Sequence, residues 1–263
     1  AQYGVLEPFS RGRASTFMDA NGDAYPDLLT VNQSDRPDGL PSPTRLFVNQ
    51  EGRAFRPAPE LGLEHESEGG AAIPGDLDGD GREDLLVDTN SSGKRASDLR
   101  VYRNERGGGF TEVAEEVGLG HSVVDATLAE VNGDGQPDVV EVTSDKLRVL
   151  HNDNGTFSVA YSTGLSYGRA VATGDVNGDG LSDVYAMRGK SSKRNAPDRV
   201  FINGGSGEDF SRLSSVPSTS EGEAESVWPI DYDENGLTDF LVLNGLNARG
   251  GPVQLIAFYR DDS

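Results

Sequence analysis

Residues 76–84 read Asp-Leu-Asp-Gly-Asp-Gly-Arg-Glu-Asp, and four variants of this nine-residue pattern recur along the chain. The other copies occupy residues 19–27, 130–138, 175–183 and 231–239. The first positions of successive copies lie 57, 54, 45 and 56 residues apart. A repeat of this period predicts one supersecondary unit per copy, with the units stacked in an array or closed into a ring.

The chemistry of the repeat indicates a site for a hard cation. Oxygen-bearing side chains stand at positions 1, 3, 5 and 9 of each copy, and glycine is usual at position 6. Ca²⁺ binds six to eight oxygens at about 2.3–2.6 Å in irregular geometry, whereas Mg²⁺ demands a smaller octahedron. Position 7 adds a backbone carbonyl. We therefore predict up to five Ca²⁺ ions, held by Asp19, Asn21, Asp23, Tyr25 and Asp27; Asp76, Asp78, Asp80, Arg82 and Asp84; Glu130, Asn132, Asp134, Gln136 and Asp138; Asp175, Asn177, Asp179, Leu181 and Asp183; and Asp231, Asp233, Asn235, Leu237 and Asp239.

These loops are not EF-hands, which carry a bidentate glutamate at position 12. Only one of the five copies has an acid there, Glu141, and we expect that residue to lie on a strand rather than to bind metal. A solvated Asp/Gly turn is the plain alternative for one copy, but five copies in register argue against it. We expect the second loop to bind tightest. We expect one or two of the first, third and fifth loops to be weak or partly occupied, because of Ala24, Glu130, and Glu234 with Asn235, respectively.

The segments around the loops predict β-strands. A short apolar run follows each loop, as at residues 85–87 and 139–142, and a second strand comes after a variable connection, as at 100–104 and 148–152. Four antiparallel strands in about fifty residues are typical of a propeller blade. We predict an all-β, single-domain, five-bladed propeller over residues 1–263. Its blades span 14–63, 70–119, 125–165, 170–216 and 226–262, the last completed by residues 1–8, so that the N-terminal strand closes the ring. An open array cut from a larger protein is the alternative.

The motifs Gly75-Asp-Leu-Asp-Gly-Asp-Gly81 and Leu99-Arg-Val-Tyr-Arg-Asn104, followed by residues 109–119, resemble FG-GAP/VCBS repeats. They are especially similar to those of bacterial and animal proteins related to cartilage acidic protein, and integrin α-subunits use similar loops. The resemblance covers nearly the whole chain. It implies a calcium-binding propeller that is secreted, periplasmic or on the cell surface. It does not specify a function, because the repeat occurs in adhesion modules, lectin-like domains and polysaccharide-active enzymes.

Composition narrows the classes of partner. The chain has 44 acidic and 23 basic residues, a formal net charge of −21 and no cysteine. Zero cysteine excludes disulfides, thiolate metal sites and thiol nucleophiles. Strong acidity argues against a nucleic-acid surface, which needs clustered lysine and arginine. There is no apolar run near eighteen residues, so we expect no membrane insertion, and we expect a monomer.

We expect functional residues at positions where the five repeats differ from one another. Residues just before the innermost strands, five or six positions before each loop, should rim the central channel. We expect Arg13, Asp125, Arg169 and Glu225 there, either binding a polar ligand or pairing with one another. The variable connections gather on the face opposite the calcium loops, which favours recognition of or adhesion to a protein or glycan. The alternative is a polysaccharide-active hydrolase or lyase at the channel mouth.

Signals for catalysis are thin, so the leading hypothesis is not an enzyme. The Gly-x-Ser-x-Gly pattern at residues 164–168 lies between two predicted blades, whereas a nucleophile elbow needs a strand-to-helix turn. Trp228, the only tryptophan, is expected in the core, with sugar stacking as the less favoured role.

Overall fold

The protein is described by a computed structural model covering residues 10–34, 42–63, 66–67, 71–88, 97–106, 108–189, 196–212, 223–245 and 253–256. The chain divides into two compact units, one of residues 1–122 with 154–156 and one of residues 123–153 with 157–263. The described residues form β-strands with a single short 3-10 helix. None of them forms a helix long and apolar enough to cross a membrane.

The first unit contains two blade-like sheets. Its strands are β1 (Ser10–Met18), β2 (Asp27–Ser34), β3 (Ser42–Pro43), β4 (Arg45–Asn49), β5 (Phe55–Pro57), β6 (Glu66–Ser67), β7 (Ala72–Gly75), β8 (Asp84–Asp88), β9 (Ser97–Asn104) and β10 (Phe110–Glu112), with a 3-10 helix at Pro59–Leu61. Sheet one has the order β1-β2-β4-β5 and sheet two the order β10-β9-β8-β7. A short strand β11 (Ser122–Val123) pairs with β9, and β3 pairs with β6.

The second unit contains three more sheets. Its strands are β12 (Asp125–Ala129), β13 (Asp138–Val142), β14 (Lys146–Asp153), β15 (Thr156–Gly164), β16 (Gly168–Gly174), β17 (Asp183–Arg188), β18 (Arg199–Asn203), β19 (Phe210–Arg212), β20 (Glu223–Ile230), β21 (Asp239–Gly245) and β22 (Val253–Ile256). Sheets three and four each have four strands in chain order, and the described part of sheet five is β20-β21-β22. Each acidic loop joins the first two strands of its sheet. The all-β, propeller-like architecture is thus confirmed.

Burial explains the near-continuous apolar runs. Every residue of β13 is buried. In β17, Val184 and Ala186 belong to a core cluster with residues of sheet three, whereas Tyr185 and Met187 belong to a cluster with residues of sheet five. Because successive side chains of a strand point to opposite faces, a middle strand between two neighbouring sheets must be apolar on both faces.

The last described sheet differs from the others on one face. Position 2 of the acidic loop is buried in the first four copies, whereas Tyr232 is 65 % exposed. Trp228 and Ile230 occupy the alternate positions that precede Tyr232 in the chain. Trp228 is 47 % exposed and Ile230 is 41 % exposed. The expectation of a core role for Trp228 was wrong, because Val227, not Trp228, packs on the cluster shared with sheet four. Closure of one five-bladed domain by residues 1–8 stays a prediction, since those residues lie outside the described ranges.

Candidate metal centres

The backbone of the acidic loops has the same winding in all five copies. Positions 4 and 6 both lie in the left-handed region, with φ between 58° and 87°. Glycine fills eight of these ten positions; the exceptions are Ala24 with φ 66° and Glu234 with φ 58°. Glycine adopts this region without the steric cost that a Cβ brings. The loops therefore fold alike even where the sequence departs from glycine.

The carboxylate at position 1 organises each loop from inside. In the second loop, Asp76 Oδ1 accepts the N–H of Gly79 at 2.8 Å, and Oδ2 accepts the N–H of Gly81 at 2.9 Å. Glu130 makes the equivalent bonds in the third loop, to Gly133 and Gly135, both at 2.7 Å. The longer glutamate side chain thus reproduces the arrangement made by aspartate.

The carboxylate at position 9 fastens the loop to its sheet. It is buried in all five copies, with 0–2 % exposure. In the second loop, Asp84 Oδ2 accepts the N–H of Leu77 at 3.0 Å, and Oδ1 accepts the N–H of Asn104 at 2.7 Å. The asparagine amide then donates to the carbonyl of Glu83 at 3.1 Å. The sequence indicates only that Asn104, at the end of the third strand of its sheet, is a strand residue. The hydrogen bonds with Asp84 and Glu83 explain why asparagine recurs at this place in the repeat.

Burial makes these position-9 carboxylates unfavourable as anions. It raises the pKa of Asp84 and Asp183 to about 6, and raises the pKa of Asp27 and Asp138, in each case against the lowering effect of the backbone N–H groups. Neighbouring carboxylates of the same loops raise these values further. A bound cation would oppose both causes and favour the ionised form.

Carboxylates converge most clearly in the second and fifth loops. Positions 1, 3 and 9 offer ligand oxygens within 4.8 Å of one another there, from Asp76, Asp78 and Asp84 and from Asp231, Asp233 and Asp239. The first, third and fourth loops carry Asn21, Asn132 and Asn177 at position 3, so an amide oxygen stands in for the carboxylate. An oxygen-only donor set of this kind fits Ca²⁺.

Positions 5 and 7 are joined by a hydrogen bond in every loop. The N–H of position 7 donates to the side-chain oxygen of position 5 at 2.8–3.0 Å, from Tyr25 to Asp23, Arg82 to Asp80, Gln136 to Asp134, Leu181 to Asp179 and Leu237 to Asn235. The metal-facing role of the position-7 carbonyls remains a prediction.

Two arginine side chains contact carboxylates of the second loop, and these contacts were not anticipated from the sequence. Arg82 donates through Nη2 to Asp80 Oδ2 and through Nε to the carbonyl of Asn104 at 2.8 Å. Arg103 Nε lies 3.4 Å from Asp78 Oδ2. Two carboxylates of the most acidic loop therefore already have cationic neighbours, which compete with an ion for the same oxygens. Residue counting alone overlooks this competition.

Glu141 is not part of the third loop's cage. It is fully buried on β13, and its Oε1 lies 2.5 Å from Arg148 Nε on β14, directly opposite in the strand register. The expectation that this acid belongs to a strand is confirmed. The serine of the Gly-x-Ser-x-Gly pattern, Ser166, lies in the turn between β15 and β16 with no helix after it, so it does not form a nucleophile elbow.

The four expected rim residues lie on the first strands of their sheets. Arg13, Arg169 and Glu225 are each the extra residue of a register shift, between Gly12 and Ala14, Gly168 and Ala170, and Ala224 and Ser226. A β-bulge changes the direction of the side chains around it. The apolar periodicity of the sequence does not reveal where such a bulge lies. The side chains of Arg13 and Glu225 are outside the described part of the chain.

Asp125 and Arg169 have distinct surroundings. Asp125 Oδ2 accepts the N–H of Val171 on the neighbouring first strand at 2.9 Å, and burial raises the pKa of Asp125 to about 6. A Cβ on Gly189 would lie 2.6 Å from Arg169 Nε, so the Arg169 side chain packs against this glycine. Asp125 thus links two sheets, whereas Arg169 contacts the end of β17.

Comparison with known proteins identifies the repeat. The family described as FG-GAP-like repeat matches residues 11–87 and 130–186. No curated protein sequence matches the chain. A lectin from Agrocybe aegerita that recognises non-reducing terminal N-acetylglucosamine is similar over 97 % of this chain and 68 % of its own, with 18 % identity and a TM-score of 0.55. The V. cholerae biofilm matrix protein Bap1 is similar over 92 % of this chain and 37 % of its own, with 18 % identity and a TM-score of 0.52. These likenesses show a shared fold.

Proposed function

This chain belongs to the family of FG-GAP-like repeat proteins, and on that premise we propose that it is a calcium-stabilised extracellular recognition or adhesion module. Its ligand is a protein or glycan, bound on the face opposite the acidic loops. The observation that carries the proposal is the repeated acidic loop. A buried carboxylate stands at position 9 of all five copies, and in the second and fifth copies the carboxylate oxygens of positions 1, 3 and 9 lie within 4.8 Å of one another.

Bound calcium supplies positive charge that offsets the repulsion among the carboxylates of each loop. Two carboxylates 4 Å apart repel by about 4 kcal/mol at an effective dielectric constant of 20. The residues that would hold the ions are those of positions 1, 3, 5 and 9, with the position-7 carbonyl. Because each loop is tied to its sheet through position 9, neutralising the loop stabilises the sheet that carries it. Each tenfold rise in free calcium above the dissociation constant adds about 1.4 kcal/mol per site.

The strand connectivity supports recognition by the face opposite the acidic loops. The acidic loops join the first and second strands of each sheet, so the connections between the second and third strands emerge at the other end. Loops carried by a rigid sheet scaffold are the usual location of binding residues. Two proteins of similar fold, a lectin and a biofilm matrix protein, support glycan as the ligand class and an extracellular setting.

The calcium part of the proposal is tested by thermal unfolding in calcium and in excess chelator. We expect chelation to lower the melting temperature strongly, and an Asp84→Asn variant to show a smaller calcium-dependent shift than wild type. Magnesium at the same concentration serves as the control cation. A melting temperature that is indifferent to chelator contradicts calcium stabilisation. The recognition part is tested by glycan-array binding of the calcium-loaded protein, and by pull-down of protein ligands.

A further inference from the structure

Three arginines of sheet four lie on one face, and two of them, Arg188 and Arg199, are at the end opposite the acidic loop. Ala186 pairs with Arg199, and Phe201 pairs with Arg212. Paired residues of an antiparallel sheet lie on the same face, and residues two apart in a strand share a face. Arg188, two residues beyond Ala186, therefore lies on the face that carries Arg199 and Arg212. The three guanidinium groups come from the adjacent strands β17, β18 and β19.

The arginines are close enough to influence one another. Partial burial lowers the pKa of Arg188, and the charges of Arg199 and Arg212 lower it further. Burial and the charge of Arg212 likewise lower the pKa of Arg199. Like charges held together cost free energy, which an external anion would recover. This positive cluster is unusual in a chain of net charge −21.

Backbone carbonyls hold two of the guanidinium groups in place. Arg188 donates through Nε to the carbonyl of Ser166 at 2.9 Å and through Nη1 to the carbonyl of Pro197 at 3.0 Å. Arg199 donates through Nη1 to the carbonyl of Gly164 at 3.0 Å. A guanidinium has five N–H groups in a fixed plane, so groups anchored on one side are preorganised to bind a carboxylate or sulfate on another.

An acid next to this strand pair, Asp198, makes hydrogen bonds that stabilise the fold. Asp198 is buried; its Oδ2 accepts the hydroxyl of Tyr185 at 3.0 Å, and its Oδ1 accepts the N–H of Arg188 at 2.8 Å. These contacts fasten the ends of β17 and β18. The carboxylate links these two strands, and its charge raises the pKa of Arg188 against the lowering effect of burial and of the neighbouring arginines.

An exposed aromatic ring lies beside the cluster. Tyr167 is 43 % exposed, and it is near enough to Arg188 to affect the pKa of that arginine. Its φ of 68° is in the left-handed region, which is strained for a tyrosine. The turn is fixed because the Tyr167 N–H donates to Ser144 at 2.9 Å and its carbonyl accepts from Gly189 at 2.7 Å. Strain of this kind is concentrated at binding sites.

We propose that Arg188, Arg199, Arg212 and Tyr167 form a binding site for an acidic polysaccharide. The arginines bind its carboxylate or sulfate groups, and the tyrosine ring packs on a sugar face. This inference deepens the recognition function proposed above and rests on it. The net negative charge of the protein does not prevent binding, because fields beyond about 8–10 Å are screened at ordinary ionic strength.

The test compares binding of dextran sulfate, polygalacturonate and uncharged dextran to the full chain, in calcium and in chelator. We expect wild type to bind one or both polyanions, more weakly as salt rises, and not to bind uncharged dextran. The two polyanions distinguish sulfate from carboxylate recognition. Arg212→Gln should weaken binding about tenfold, the usual effect of losing a charged hydrogen bond. Arg56→Gln, at an exposed arginine paired with Glu60, is the matched control and should leave binding unchanged.

Tyr167→Gly separates binding from folding. It removes the ring and relieves the left-handed strain, so the melting temperature should stay or rise while polyanion binding weakens. Equal polyanion binding by wild type and Arg212→Gln overturns the inference. Polyanion binding that requires calcium and is unchanged in both Arg212→Gln and Tyr167→Gly also overturns it. Absence of polyanion binding overturns it too. The proposed function survives if a neutral glycan or a protein binds instead, whereas indifference to chelator removes its calcium component without affecting the arginine site.

Discussion

At the scale of the residue, the loops show where glycine is required and where it is absent. Ala24 occupies the position-6 conformation with φ 66°, and Gly81 occupies the equivalent place in the second loop with φ 85°. An L side chain in this region costs about 1–2 kcal/mol. A Cβ on Gly81 would meet no atom within 4 Å, so the cost there is one of backbone strain and not of collision.

Replacing Ala24 by glycine should therefore stabilise the protein. After the entropy gained by the unfolded chain is deducted, we expect a gain of about 1 kcal/mol and a rise in melting temperature of about 2–4 °C. The reciprocal variant Gly81→Ala should lose a similar amount. Thermal unfolding at fixed calcium measures both. If the two variants shift in the same direction, backbone strain is not what distinguishes the loops.

At the scale of the element, Asp125 links the first strands of sheets three and four through Val171. Its folded pKa of about 6 lies above the ordinary value of 3.8, because burial disfavours the anion. The folded state then binds the proton more tightly than the unfolded state. The favourable contribution is complete below about pH 4 and is lost as the pH rises through about 6.

Asp125→Asn should consequently be more stable than wild type at pH 7 and should show no gain at pH 4, since asparagine keeps an acceptor oxygen without the charge. Asp125→Ala loses the acceptor and should be less stable at both. Denaturant titrations at the two pH values measure the difference. A loss of stability in Asp125→Asn at pH 7 would instead indicate a cationic partner, as the predicted pairing of the rim residues requires.

The sequence predicts elements that depend on local pattern and misses those that depend on pairing. The loops, the buried middle strands and the order of strands follow from spacing and apolarity. The bulge at Arg169, the contact of Arg103 with the second loop and the exposure of Trp228 depend on which strand lies beside which. The arginine cluster was missed for the same reason: Arg188 and Arg212 are 24 residues apart and meet only through β18.

At the scale of the whole molecule, acidity and calcium act on the same balance. The formal charge is −21, and five calcium ions would bring it to −11. General repulsion among surface carboxylates is long-range and is screened by monovalent salt. Repulsion and burial inside the loops are local, so salt screens them much less. The two contributions are therefore separable by the ion used.

The local contribution of the loops predicts that the stability of the calcium-free protein depends on pH. Asp84 and Asp183 have folded pKa values of about 6, above their ordinary value, so the stabilising effect of protonation is lost as the pH rises from about 4 to 6. Calcium-free protein should lose stability over that interval even in about 0.5 M KCl, a concentration that screens the interactions between surface charges. Saturating calcium should remove the loss, because the ions favour the ionised carboxylates. Denaturant titrations across pH 4–7 in KCl, with and without calcium, measure it. A loss that KCl removes as fully as calcium does would assign the effect to overall charge and not to the loops.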